Sequence, residues 1–64
     1  MTRQEACRAA LKKAKADGYI KDYLDGENGR WHCIPISGPP RLVRTANEVH
    51  FIAEVQRRKL AMAK

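Results

Sequence analysis

The sequence predicts a small α+β domain of order α-β-β-(β)-α, a small antiparallel sheet with an N-terminal and a C-terminal helix. Three observations carry this. Thr2-Arg3-Gln4-Glu5 and Thr45-Ala46-Asn47-Glu48 both have capping-box spacing. In such a box the threonine hydroxyl accepts from the glutamate N–H while the glutamate carboxylate reaches back to the threonine N–H, so each marks a helix start. Asn28-Gly29, the strongest short hairpin signal, separates two runs rich in β formers. Finally, the chain has 64 residues and no internal repeat, low-complexity tract or linker, so residues 1–64 read as one domain.

The first helix should start at Arg3, run through good helix formers to Asp17 and end at Gly18 in the left-handed conformation. Its wheel puts Cys7, Ala10, Leu11 and Ala14 on an apolar face, with a basic stripe of Arg8, Lys12 and Lys15 beside it. Tyr19 to Asp25 forms the first strand, and Arg30 to about Ile36 the second. The turn is either Asn28-Gly29 or Gly26 to Gly29. Both registers gather Ile20, Asp22, Leu24, Trp31, Cys33 and Pro35 on one face. Tyr19, Lys21, Tyr23, Asp25, Arg30, His32, Ile34 and Ile36 fall on the other.

Ser37-Gly38-Pro39-Pro40 stops the second strand, and Arg41 to Arg44 makes a short third one. The helix from Ala46 to Met62 carries a core stripe of Val49, Ile52, Ala53, Gln56 and Leu60, flanked by Phe51, Val55 and Met62. That apolar arc is wide for one helix on three strands and points to a homodimer contact through this helix. Arg57-Arg58-Lys59 places three cations in its last turns, favoured by the helix dipole and open to phosphate.

Thirteen Lys+Arg against seven Asp+Glu give a formal charge of +6. Such a surplus on a short chain favours an anionic partner, nucleic acid first and an acidic protein second. The large apolar residues, Leu11, Ile20, Leu24, Trp31, Ile34, Ile36, Leu42, Val43, Val49, Phe51, Ile52, Val55 and Leu60, suffice for one thin core. Cys7 and Cys33 lack zinc-site spacing and read as reduced, buried thiols; a bridge between them would require the first helix to lie on the strand of Cys33. No apolar run suits a signal peptide or a membrane span, so a cytoplasmic protein without a membrane partner is expected.

Catalytic signatures are missing. His32 and Cys33 are strand neighbours whose side chains leave opposite faces, so they cannot act as a dyad. Asp22 and Asp25 also change faces, and Ser37-Gly38 lacks the strand-to-helix setting of a nucleophile elbow. Neither enzyme activity nor a metal or other cofactor is expected. Trp31 reads first as the main core aromatic, whereas Arg30 at the hairpin mouth reads as exposed.

The run Gly29-Arg30-Trp31, then Val43-Arg44-Thr45, then Glu48-Val49 and Phe51 resembles the AP2-like three-stranded DNA-binding domain of phage-type integrases and plant transcription factors. The resemblance covers about Tyr19 to Leu60; Val43 and Val49 stand where that family has an aromatic and an alanine. It implies a sheet lying in the major groove, with Arg30, His32, Arg41 and Arg44 as contacts. With no recombinase domain following, it also implies a free-standing accessory or regulatory protein of a phage or other mobile element. The order α-β-β-β-α is shared as well with double-stranded-RNA-binding-like folds, including small toxin ribonucleases, where His32 would be the catalytic histidine. Order alone carries no activity.

The leading expectation is therefore a nucleic-acid-binding protein, DNA before RNA. Its contact candidates are Arg30, His32, Arg41, Arg44, Arg57, Arg58 and Lys59, with Arg8, Lys12 and Lys15 on the first helix. The competing expectation is a protein-interaction module or small inhibitor acting as a homodimer. The two part on what covers the open face of the sheet.

Overall fold

A computed structural model describes residues 2–62. Helix α1 (Arg3–Ala16) leads into strands β1 (Ile20–Asp25), β2 (Trp31–Pro35) and β3 (Arg41–Val43), and helix α2 (Ala46–Met62) follows. The strands form one antiparallel sheet in the order β1-β2-β3. Both helices pack on the same side of it and against each other.

Local chemistry sets the helix ends. Thr2 Oγ1 accepts from the Glu5 N–H at 3.1 Å, and the Glu5 carboxylate accepts from the Thr2 N–H at 3.3 Å. At α2 the same pair of bonds joins Thr45 and Glu48, and Glu48 Oε1 accepts in addition from the Arg44 N–H at 3.1 Å. One carboxylate thus ties the end of β3 to the start of α2. At the far end of α1, Gly18 adopts φ 82°. The Tyr19 N–H reaches Ala14 C=O at 3.0 Å and the Gly18 N–H reaches Lys15 C=O at 3.1 Å, which completes a Schellman stop.

The core lies between the helices and the inner face of the sheet. α1 contributes Cys7, Ala10, Leu11 and Ala14, all four of the residues its periodicity singles out. α2 contributes Val49 and Ile52, and the strands contribute Ile20, Cys33 and Val43. Gln56 is the buried polar exception. Its Oε1 accepts from the Ser37 N–H and its Nε2 donates to the Ser37 C=O, each at 3.1 Å, so one side chain satisfies both backbone groups of the loop after β2. Trp31 is only half-buried and meets Tyr23 edge-on, with ring centroids 5.9 Å apart.

The sheet register departs from the expected one. The connection is a five-residue loop, Gly26 to Arg30, closed by the Gly26 N–H on Arg30 C=O at 2.9 Å, so Asp25 pairs with Trp31 and not with Arg30. A shift of one residue exchanges the faces of a strand. Tyr23 and Asp25 therefore share the inner face with Cys33 and Trp31, while Leu24 and Asp22 turn outward beside His32 and Ile34. A bulge at Lys21, between Ile20 and Asp22, reverses the slip, so Ile20 still points inward opposite Pro35. The thin core is smaller than the apolar residue list implied: Leu24, Ile36, Leu42, Phe51 and Leu60 are exposed.

Candidate nucleic-acid interface

Both helices start at the end of the sheet that carries the β1–β2 loop. There Thr2, Arg3, Gln4, Asn28, Gly29 and Arg44 line an open hollow of about 420 Å³. Three parts of the chain build it: the capped first turn of α1, the loop apex, and the residue between β3 and α2. The apex needs Asn28 and Gly29 in the left-handed region, at φ 57° and 74°. Gln4 closes over Gly29 so tightly that a Cβ there would lie 2.6 Å from Gln4 Nε2. A side chain at this position would displace the end of the Gln4 side chain and would have to adopt a positive φ.

The lining contains two guanidinium groups and two side-chain amides but no carboxylate. The carboxylates of Glu5 and Glu48 accept the capping bonds at the two helix starts. Arg3 and Arg44 form no ion pair among the described residues. Two unpaired guanidinium groups thus border a recess of amide and backbone donors, which suits a phosphate oxygen.

The other cations disperse. Arg30 stands across the same loop, in a neighbouring concavity with Asp25, Glu27, His32 and Leu42. Arg8 lies beside Trp31 and Asp25, and Lys12 is exposed on α1. Lys15 pairs with Asp22 at 3.2 Å and lies 5.8 Å from the Tyr23 ring centroid. That carboxylate is held below its usual range, first by the Tyr23 N–H and then by Lys15. Arg57 and Arg58 share Glu54, at 2.6 and 3.2 Å. The Arg57 hydrogen bond in particular draws the Glu54 carboxyl down. Arg41, opposite Cys33 on β3, lines a concavity with Lys59 and the 37–39 loop.

Of the four contacts implied by the integrase-type resemblance, His32 is the one whose strand position faces outward with Leu24 and Leu42. Arg44 enters the hollow, Arg30 borders it across the loop, and Arg41 lies at the other end of β3. Arg3 belongs to the hollow and is not among the sequence candidates. Its nearest cationic companion, Arg44, is remote in sequence, so only the meeting of the two helix starts reveals it.

His32 is exposed while Cys33 is buried, in keeping with their opposite faces. Cys7 and Cys33 are free thiols with no exposure to solvent. Burial, and then the neighbouring Cys7, pushes the Cys33 thiol up; burial, and then Glu48, does the same to Cys7. Both stay protonated at neutral pH and offer no nucleophile. No described helix is long and apolar enough to cross a membrane.

The fold and this recess define a small α+β domain with two helices on one sheet face and an arginine-bordered recess at the loop end. Comparisons with protein-family models, curated proteins and solved structures find no match.

Proposed function

We propose that the chain binds the phosphate backbone of a nucleic-acid duplex, DNA before RNA, with its loop end as the contact surface. The observation that supports this is the carboxylate-free recess that pairs Arg3 with Arg44 between two helix starts. Arg30 and Arg8 flank the recess, each in a concavity shared with two carboxylates, Asp25 and Glu27 for Arg30 and Glu5 and Asp25 for Arg8. A formal charge of +6 draws the chain to a polyanion, and the recess then orients it. This surface supplies backbone contacts, which position a protein without reading bases. The integrase-type resemblance supports the further reading of an accessory or regulatory role in a mobile element.

The test is fluorescence anisotropy with a labelled duplex over a series of salt concentrations. Log affinity should fall steeply with log salt, by ~0.9 for each phosphate contacted. Arg3→Gln with Arg44→Gln should weaken binding by about tenfold or more and reduce that slope by roughly two contacts. Lys13→Gln with Lys21→Gln removes the same charge elsewhere and should have a much smaller effect. Absence of binding to DNA or RNA duplex at low salt would overturn the proposal. So would equal losses from the two double variants, which would leave only net charge.

A further inference from the structure

Beside the Arg3–Arg44 recess lies a second hollow of about 240 Å³, lined by Gln4, Glu5, Arg8, Asp25 and Trp31. Gln4 lines both, so a single side chain stands between them. Trp31, the only tryptophan, packs against the core yet stays half-buried, with part of its surface turned to this hollow. Tyr23 braces it edge-on, with the ring planes at 63°. Arg8 and Asp25 are both exposed, and neither forms an ion pair among the described residues. We infer that this hollow receives an unpaired guanine whose phosphate occupies the Arg3–Arg44 recess.

Hydrogen-bond chemistry selects the ligand. The two carboxylates of the hollow repel a bare phosphate, so it is unsuited to a second backbone contact. An exposed indole stacks on any base. The carboxylate of Asp25 only accepts, through two oxygens set side by side. Among the bases, guanine alone offers two adjacent donors, the ring N–H and the amino group of its Watson–Crick edge. Adenine and cytosine place an acceptor next to the amino group, and thymine and uracil have one N–H between two carbonyls. Asp25 is therefore saturated only by guanine, and Arg8 is left to donate to the carbonyl oxygen on the same edge. That edge is free only in a base without a pairing partner.

The inference rests on the recess being a phosphate site and names what that site prefers, a duplex end that presents a protruding guanine. Gln4 sets the spacing. Its amide lies against Gly29 at the loop apex, so the wall between the hollows is one side chain thick. Base and phosphate of one nucleotide are likewise separated by one sugar. The concavity across the loop also holds Asp25, with Glu27, Arg30 and His32, but its only ring is the smaller imidazole. It lacks the stacking surface that Trp31 provides.

As the only tryptophan, Trp31 reports on this hollow directly through its fluorescence. That signal and the anisotropy of labelled duplexes are read together at low salt, for blunt ends and for ends with one protruding nucleotide. A protruding guanine should quench Trp31 and bind about 10-fold more tightly than a protruding adenine, the discrimination of one bidentate pair. Asp25→Asn exchanges one acceptor for a donor and should erase that preference, whereas the lost charge alone moves every duplex in step. Asp25 is exposed, so the variant should fold, as circular dichroism would show; the guanine-to-adenine ratio of the unmodified chain is a test that needs no variant. Equal affinity for guanine and adenine ends would overturn the inference and leave the phosphate site standing. So would a guanine preference that Asp25→Asn keeps, or Trp31 fluorescence unchanged at saturation. Failure of every duplex to bind would remove both the site and the inference.

Discussion

The two faces of this three-stranded sheet share a backbone and differ in nearly everything else. On the inner face Cys33 and Val43 lie fully buried under α1 and α2, together with Leu11 and Val49. Leu24 and Leu42, on the opposite face, stand half in water. The hydrophobic composition of the two faces is similar, so composition does not decide which one holds the protein together. Cover decides it. Both helices are committed to one side, and the other is left for solvent or a partner.

The largest expected contrast comes from truncating one leucine on each side. Leu11→Ala should destabilise by ~2–5 kcal/mol, since it opens a cavity in a closed core. Leu24→Ala should stay within ~0.5 kcal/mol in the monomer. Urea unfolding at low protein concentration measures both, and comparable losses would break the distinction between the faces. Gln56 comes next. Replacing it by alanine strips both partners from Ser37 and should cost about 1–3 kcal/mol. Gln56→Glu should fare no better, because a carboxylate cannot donate to the Ser37 C=O.

The helix starts sharpen the comparison at smaller scale. Thr45→Ala should lose ~1 kcal/mol. Thr2→Ala, which removes the equivalent acceptor at the start of α1, should lose a comparable amount. Smallest is the acid response. Asp22 and Glu54 have folded pKa values lowered below their ordinary ones, so their contribution is complete above the ordinary values and is lost as pH falls through the folded ones. Thermal unfolding should therefore show a shallow loss of stability below about pH 4.5 that Asp22→Asn and Glu54→Gln flatten further. Both carboxylates are exposed, so a steep loss would mean that other groups govern the acid limit.

What the sequence disclosed follows the range of the interactions involved. The α1 core residues Cys7, Ala10, Leu11 and Ala14, both capping boxes and the Gly18 stop are written within a few residues of one another. Local rules recover them. The sheet faces are not local in this sense. Asn28-Gly29 marks the bend, but inclusion of Arg30 in the loop decides which side Leu24 takes, and the bulge at Lys21 decides it again for Ile20. The α2 stripe was legible at Val49, Ile52 and Gln56 and failed at Leu60, beyond the turns of α2 that contribute to the core. Arg44 was legible as a candidate from its place before a capped helix. Arg3 was not, because its role depends on α1 and α2 beginning at the same end.

The most direct test of the division between an arginine-bordered loop end and an open sheet face with exposed leucines is an amide chemical-shift map in a titration with duplex nucleic acid. Adding duplex nucleic acid to the dilute protein should move the resonances of Arg3, Gln4, Asn28, Gly29 and Arg44 and leave Leu24, Ile34 and Leu42 in place. Duplex-induced shifts centred on Leu24, His32 and Leu42, with the loop end silent, would contradict the account.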